Sequence, residues 1–310
     1  MQVLLDRKKR RIDKLAAAGE GGTSLAKDAL KRMMRNPVAV VGLVIVALFV
    51  LLAAFAPWLT PKDPYKPYPE LLENLTVTHI PGSMPGFVLG SDADGFDFFS
   101  RLLIASQQTL IVAVLATLFG LLLGLIIGGL AGALGGWVDS VLMRLVDVLL
   151  SLPALILAVS IAALFARSNQ WTVIIAVGMV SVPVFARLLR GAMLAQRESD
   201  HVLAATALGV KRSTIVFRHM LPNALGPVIV QATLTLATAI LEAASLSYLG
   251  LGDQDTFRAE WGLMLAQAQR VFEVKPSLAF FPAGAIIIVA LGFTLLGESM
   301  REALDPKNRR

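Results

Sequence analysis

ESDHVLAATALGVKRSTIVFRHMLPN, residues 198–223, lies between two long apolar runs, 168–186 and 220–241, neither of which contains an acidic residue. Runs of that length cross a membrane, so the segment between them is a loop. It is too apolar for a simple one. Ser199 or Asp200 can cap a short helix, Val202, Leu203, Ala204, Ala205 and Leu208 give it an apolar side, and Gly209 can close it in the left-handed conformation. Such a helix reaches only about 13 Å, less than half of a hydrocarbon core. Its apolar side therefore lies flat on the headgroups or enters a groove on another protein. In the second case it is a lever held between two spans.

Composition agrees with a membrane chain: 56% of the 310 residues are hydrophobic and 16% charged. The absence of cysteine excludes disulfides, thiolate nucleophiles and zinc thiolate sites. A net charge of +6 has to be located relative to the membrane before it can suggest nucleic acid, and the basic residues are one-sided.

Residues 1–37 form a basic N-terminal segment, with ten Lys or Arg against four acids in the first 35 positions. It is expected on the cytoplasmic face, ending in an amphipathic lead-in, and does not read as a cleavable signal peptide. Residues 38–59 are the first span. Residues 60–101, rich in proline and carrying six acids against three bases, form an exterior loop. Its DADGFD cluster lacks the closing glutamate of a calcium loop. Residues 102–138 carry no charge, and parity makes them a single tilted span, because two crossings would put the basic C-terminus outside. Within it Gly120, Gly124, Gly128, Gly132 and Gly136 recur every fourth residue, a stripe suited to close helix packing.

Arg144 and Asp147 are spaced as an i, i+3 pair. Residues 148–166 are expected to cross outward with a kink at Pro153. Residues 168–186 return, with Arg187 and Arg190 emerging inside, and 220–241 go out, with Pro222 in the first turn. Residues 276–297 cross inward to a cytoplasmic tail at 301–310. The expected core is thus a five-helix unit over 102–300, with the loop at 198–223 and an exterior segment at 246–275. This topology puts 21 of the 28 Lys and Arg inside, and places Trp58, Trp137, Trp171 and Trp261 at or beyond span ends. Glu242 falls near the outer end of the fifth span, where it serves either as a structural hydrogen-bonded group or as a substrate contact.

Ala204, Ala205, Gly209, Ile215, His219, Leu221, Pro222 and Asn223 resemble the cytoplasmic "EAA" loop of ABC importer permeases, in its dipeptide and oligopeptide form, with Leu203 at the glutamate position. Leu89-Gly90-Ser91-Asp92 with Gly95, Asp97, Ser100 and Arg101 resembles the signature before the second span, with Phe96 where arginine is usual. Leu246-Ser247-Tyr248-Leu249-Gly250-Leu251-Gly252 and Glu260-Trp261-Gly262 resemble the outward-facing motif, and REALDPKNRR the C-terminal one.

The resemblance implies an all-α permease with six transmembrane helices and both termini cytoplasmic, in a bacterial inner membrane. It implies partners: a homologous permease, two ATPase subunits that bind ATP and Mg, and an extracytoplasmic substrate-binding protein. It makes Asp200, Val202, Leu203, Ala204, Ala205, Leu208 and Gly209 the ATPase-coupling residues, and peptide the cargo. Glu242, Tyr248, Glu260 and Trp261 are the candidates for the substrate path or exterior contacts.

The chain has no G-x-x-x-x-G-K-S/T phosphate cradle, so it is expected to be a non-catalytic subunit. His79, His201 and His219 lack metal-ligand spacing. The alternative is an ion-coupled secondary transporter, which needs ionisable groups near the bilayer midplane.

Overall fold

The computed structural model describes residues 32–253, 255 and 257–304. The basic segment before residue 32 and the tail after residue 304 lie outside them. The described residues form an all-α architecture with only isolated backbone bridges besides. In order the helices are α1 (Pro37–Leu59), α2 (Phe98–Leu134), α3 (Gly136–Leu150), α4 (Ala154–Ala162), α5 (Gln170–Arg197), α6 (Asp200–Ala207), α7 (Leu221–Tyr248), α8 (Trp261–Gln269) and α9 (Ser277–Leu304). Five helical stretches are long and apolar enough to cross a membrane, and six if the bent pair α3–α4 counts as one span.

The uncharged stretch before residue 138 is one unbroken helix of 37 residues. Asp97 caps it, its Oδ2 accepting from the Ser100 amide at 3.1 Å and the Ser100 hydroxyl at 2.6 Å. The glycine stripe faces α5. A Cβ on Gly132 would lie 2.9 Å from that of Met193, and Cβ atoms on Gly124 and Gly128 would collide with Phe185 and Ala186. Gly136 is not part of this contact: it has φ +60° and opens α3, with nothing near an added Cβ.

The third span departs from the expectation of a single kinked crossing over 148–166. Pro153 has no N–H for the Leu149 carbonyl and disfavours helical geometry at Leu152, so the chain breaks there. The Ser151 hydroxyl donates to the Val148 carbonyl at 2.7 Å, and α4 leaves at 95° to α3. The expected Arg144–Asp147 pair is replaced by longer-range ones, because Arg187 and Arg190 lie a helical turn apart on α5 and face α3. Arg187 meets Asp147 at 2.5 Å, and Arg190 grips Asp139 with two bonds of 2.8 and 2.7 Å.

The fifth span starts earlier than its apolar run. Helix runs continuously from Arg212 to Tyr248, and residues Ile215–Met220 form a wide π turn in which the Leu221 amide reaches back to Val216. That loosened turn accommodates Pro222, which has no amide to give.

Residues 60–97 fold as a cap on one end of the bundle, with Leu71, Ile80, Phe87 and Phe96 buried. The opposite end carries Arg197, Lys211, Arg212 and Arg218, and is called here the basic end.

Replacing Gly128 by leucine forces α2 off α5, an overpacking cost of about 1–3 kcal/mol or more. Gly129 faces away, with only Leu189 at 3.8 Å from an added Cβ. The expected outcome is loss of monodisperse protein on gel filtration in detergent for G128L and near-normal yield for G129L.

Candidate functional site

At the basic end, α6 has Ser199 in capping position, but the Ser199 hydroxyl donates to the Gln196 carbonyl at 2.5 Å rather than capping α6. Gly209 closes the helix with φ +72°. The Val210 amide bonds the Ala205 carbonyl at 3.1 Å and the Gly209 amide bonds that of Thr206 at 3.0 Å, the paired closure of a Schellman motif.

The apolar residues of α6 divide between two faces, because successive positions turn about 100°. Val202 and Ala205 are buried against Leu189, Met193, Ile215 and Met220 of the same chain. They are therefore unavailable to a partner, which corrects the expectation that all five apolar residues share one docking side. Leu203, Ala204 and Leu208 point outward, with Asp200 and Gly209 also exposed. Leu203 is 55% exposed, Leu208 83%, and Phe217 from the π turn adds a third large apolar side chain at 68%.

Arginines flank this lever on both sides and bind one target. Arg197, just before α6, donates to the carbonyls of Gly132 and Ala133 at 3.4 Å each, and Arg212, just after it, to those of Ala133 and Leu134 at 2.7 and 3.0 Å. These are the orphan carbonyls at the C-terminal end of α2, where a helix carries partial negative charge. These contacts tie both ends of α6 to the end of α2.

On the flank of the bundle two adjoining chambers, both open to the surface, share Leu150, Val184 and Gln231 as walls. The wider, about 620 Å³, lies toward the basic end beside Arg187 and Gly191; the narrower, about 230 Å³, ends at Glu242. Together they make a cleft walled by α3, α4, α5 and α7. The cleft is thus lined by the third, fourth and fifth spans. Pro183 of α5 lines the narrower chamber and Pro227 of α7 the wider, each leaving a carbonyl one turn earlier without its helical donor. Glu242 is half-buried and has no hydrogen bond or ion pair with any described residue.

At the cap end a second Schellman closure terminates α7. The Leu251 amide bonds the Leu246 carbonyl at 2.9 Å and the Gly250 amide that of Ser247 at 3.1 Å, with Gly250 at φ +80°. Tyr248 is exposed on the last turn. Trp261 is not: it is 4% exposed, its Nε1 donates to the Leu102 carbonyl at 3.1 Å, and its ring lies 5.6 Å from that of Phe49. The expectation of an exposed or interfacial Trp261 is corrected accordingly, whereas Trp58, Trp137 and Trp171 are exposed. The cause is the Glu260–Trp261–Gly262 turn folding back over α7, where Gly262 approaches the Ala244 backbone closely. Glu260 accepts from the Ser247 hydroxyl at 2.9 Å, and burial pushes its carboxyl up to about 7.

Below it Arg101 is fully buried, 3.4 Å from Asp92, 4.4 Å from the Phe96 ring centre and donating to the Arg258 carbonyl at 3.3 Å. Burial raises the Asp92 carboxyl against the opposing pull of Arg101. Lys275 donates to the carbonyls of Pro81, Ser91 and Leu89 at 2.5, 3.1 and 3.4 Å, and burial lowers its ammonium. The cap is built around these charges.

Residues 120–310 match a family model described as a binding-protein-dependent transport system inner membrane component, and residues 24–76 one described as the N-terminal TM domain of oligopeptide transport permease C. The chain belongs to this family of ABC importer permeases.

Among its relatives, the dipeptide transport system permease protein DppC of Alkalihalophilus pseudofirmus is 38% identical over 91% of this chain and 90% of its own. The glutathione transport system permease protein GsiD of Salmonella typhimurium is 41% identical over 89% of each. Among solved structures, an inward-facing MetNI methionine ABC transporter superposes with a TM-score of 0.54 at 21% identity, covering 66% of this chain and 96% of that one, a likeness of fold alone. Family membership sets aside the ion-coupled alternative.

Sequence reasoning about this permease missed Phe217 and the two arginine clamps. Phe217 carried one signal, a large aromatic among Arg218, His219 and Lys211, but its outward aim comes from the π turn. Nothing local in Arg197 or Arg212 marks them as partners of residues some 65 to 79 positions earlier.

The raised Glu260 carboxyl gives the cap a pH dependence. The folded protein holds this proton more tightly than the unfolded chain, so the contribution is fully present below about 4.5 and is lost as pH rises through about 7. The thermal unfolding midpoint of the detergent-solubilised permease is expected to fall between pH 5 and pH 8, and E260Q to flatten that slope.

Proposed function

We propose that this permease is one of two membrane subunits of an ATP-driven importer of di- or oligopeptides in a bacterial inner membrane. It pairs with a homologous permease, two ATPase subunits that bind ATP and Mg on the cytoplasmic side, and an extracytoplasmic substrate-binding protein. No nucleic acid takes part. The basic end with both termini is cytoplasmic, in keeping with the positive-inside bias, and the cap faces the delivering protein. Peptide as cargo is supported by the relatives named for dipeptide and glutathione transport.

The observation that carries this reading is the exposed Leu203, Leu208 and Phe217 surface on a helix clamped to α2. An apolar face of this kind is suited to a groove on a partner, in the helix-in-groove mode. With Leu203 where a glutamate stands in related loops, the contact at that position is apolar instead of charged. Closure of the ATPases on nucleotide draws α6, the clamps pass the displacement to α2 and α5, and the cleft alternates between its two openings.

Co-purification with the partner subunits from a membrane carrying all of them tests this. Gly209→Arg strains the left-handed closure by about 1 kcal/mol and sets a charge beside Leu208, and L208D charges the face directly. Both are expected to lose at least tenfold of the co-eluting ATPase while the permease pair stays intact; undiminished ATPase recovery in both would overturn the lever. The double variant R197A/R212A should retain ATPase association, yet lose most of the stimulation of ATP hydrolysis by loaded binding protein, read as phosphate release in proteoliposomes.

A further inference from the structure

We infer that Glu242 reads the protonated amino end of the cargo as it passes through the narrow chamber, making this chain a determinant of specificity for amine-bearing peptides. The inference rests on the peptide reading above and adds the residue and the chemistry.

Glu242 ends a polar stripe on α7. Gln231, Thr235, Thr238 and Glu242 recur at helical spacing, and all four line the narrow chamber. The other three are engaged locally. Gln231 Nε2 donates to Thr235 Oγ1 at 3.5 Å, and Thr238 Oγ1 to the Thr235 carbonyl at 3.0 Å. Glu242 alone carries a charge with no described partner.

The wall opposite is apolar, with Leu149, Leu157, Val177 and Val180, and no cation lines the narrow chamber. The basic side chain in the wider one, Arg187, is paired with Asp147. A carboxylate at membrane depth is costly without a counter-charge, and the described residues around it supply none; the ammonium of a passing cargo would.

Position narrows what supplies it. Glu242 lies six residues below Tyr248, about 9 Å along the helix from the cap end. It is thus within the cleft, below the surface of the cap. The chamber of about 230 Å³ is smaller than the ~300–1,000 Å³ of sites that enclose a drug-sized ligand. It fits the ammonium end of a peptide with its first side chain, the remainder extending into the wider chamber. An ammonium offers three donors to the two carboxylate oxygens, a charge-assisted contact that an acylated amine cannot make.

The test is uptake of labelled dialanine and of N-acetyl-dialanine by proteoliposomes holding the whole complex, with the same binding protein throughout. E242Q is expected to lower dialanine uptake at least tenfold while leaving N-acetyl-dialanine uptake and subunit co-purification unchanged, and E242D to stay within about threefold of wild type. Because the delivering protein is constant, a changed ratio belongs to Glu242. Parallel loss of both peptides together with weakened co-purification would show that Glu242 pairs with the second permease, and would overturn the inference. Unchanged rate and preference in E242Q would overturn it too, leaving peptide import standing. Wild-type complex that moves neither peptide, yet is active on another cargo, would overturn the peptide reading and this inference with it.

Discussion

Close backbone approach between α2 and α5 is the constraint on which the bundle depends. Hydrocarbon solvates leucine as well as another helix does, so apolar surface alone gives two membrane helices little reason to associate. What remains is dispersion at short range, and short range requires the absence of side chains. Gly120, Gly124, Gly128 and Gly132 supply that absence along four turns, against Ser181, Phe185, Ala186 and Met193. The two helices become one stiff unit. Its ends are fixed by charge: Asp97 and Arg101 under the cap, and Arg197 with Arg212 on the last carbonyls at the base. The eight residues of α6 are tied to this unit by those two arginines.

The cap follows a different rule. Buried ion pairs repay their desolvation only with good geometry and further bonds, and they are weak evidence for stability. Arg101 finds a carboxylate and an aromatic face from one turn and a carbonyl from a distant loop, and Lys275 gathers three carbonyls from one loop. Such contacts fix the loop at 60–97 in one arrangement over α8. Phe96, standing where related permeases usually have arginine, places a ring over Arg101 instead of a second cation beside it.

Between these two ends the cleft wall combines one broken span with two helices that contain proline. Pro153 breaks α3 from α4, and Pro183 and Pro227 each remove one backbone bond within α5 and α7, which run on through them. Irregular backbone at membrane depth is tolerated where it lines a cavity, and the α3–α4 break lies on this one.

The linear order of residues determined the class, the number of apolar crossings, the glycine contact and the closure of the lever at Gly209, because each depends on period, length or the backbone freedom of a single residue. Those are local quantities. Only the tertiary structure decided which side of α6 faces outward, since Val202 and Leu203 are equally apolar and differ only in where the neighbouring spans lie. It likewise decided that Trp261 is an anchor, that Asp147 chooses Arg187 over Arg144, and that Glu242 is left unpaired at the head of a cleft. Ion pairs and cavities join residues far apart in the chain, and their energies depend on distances that no spacing along a single sequence records.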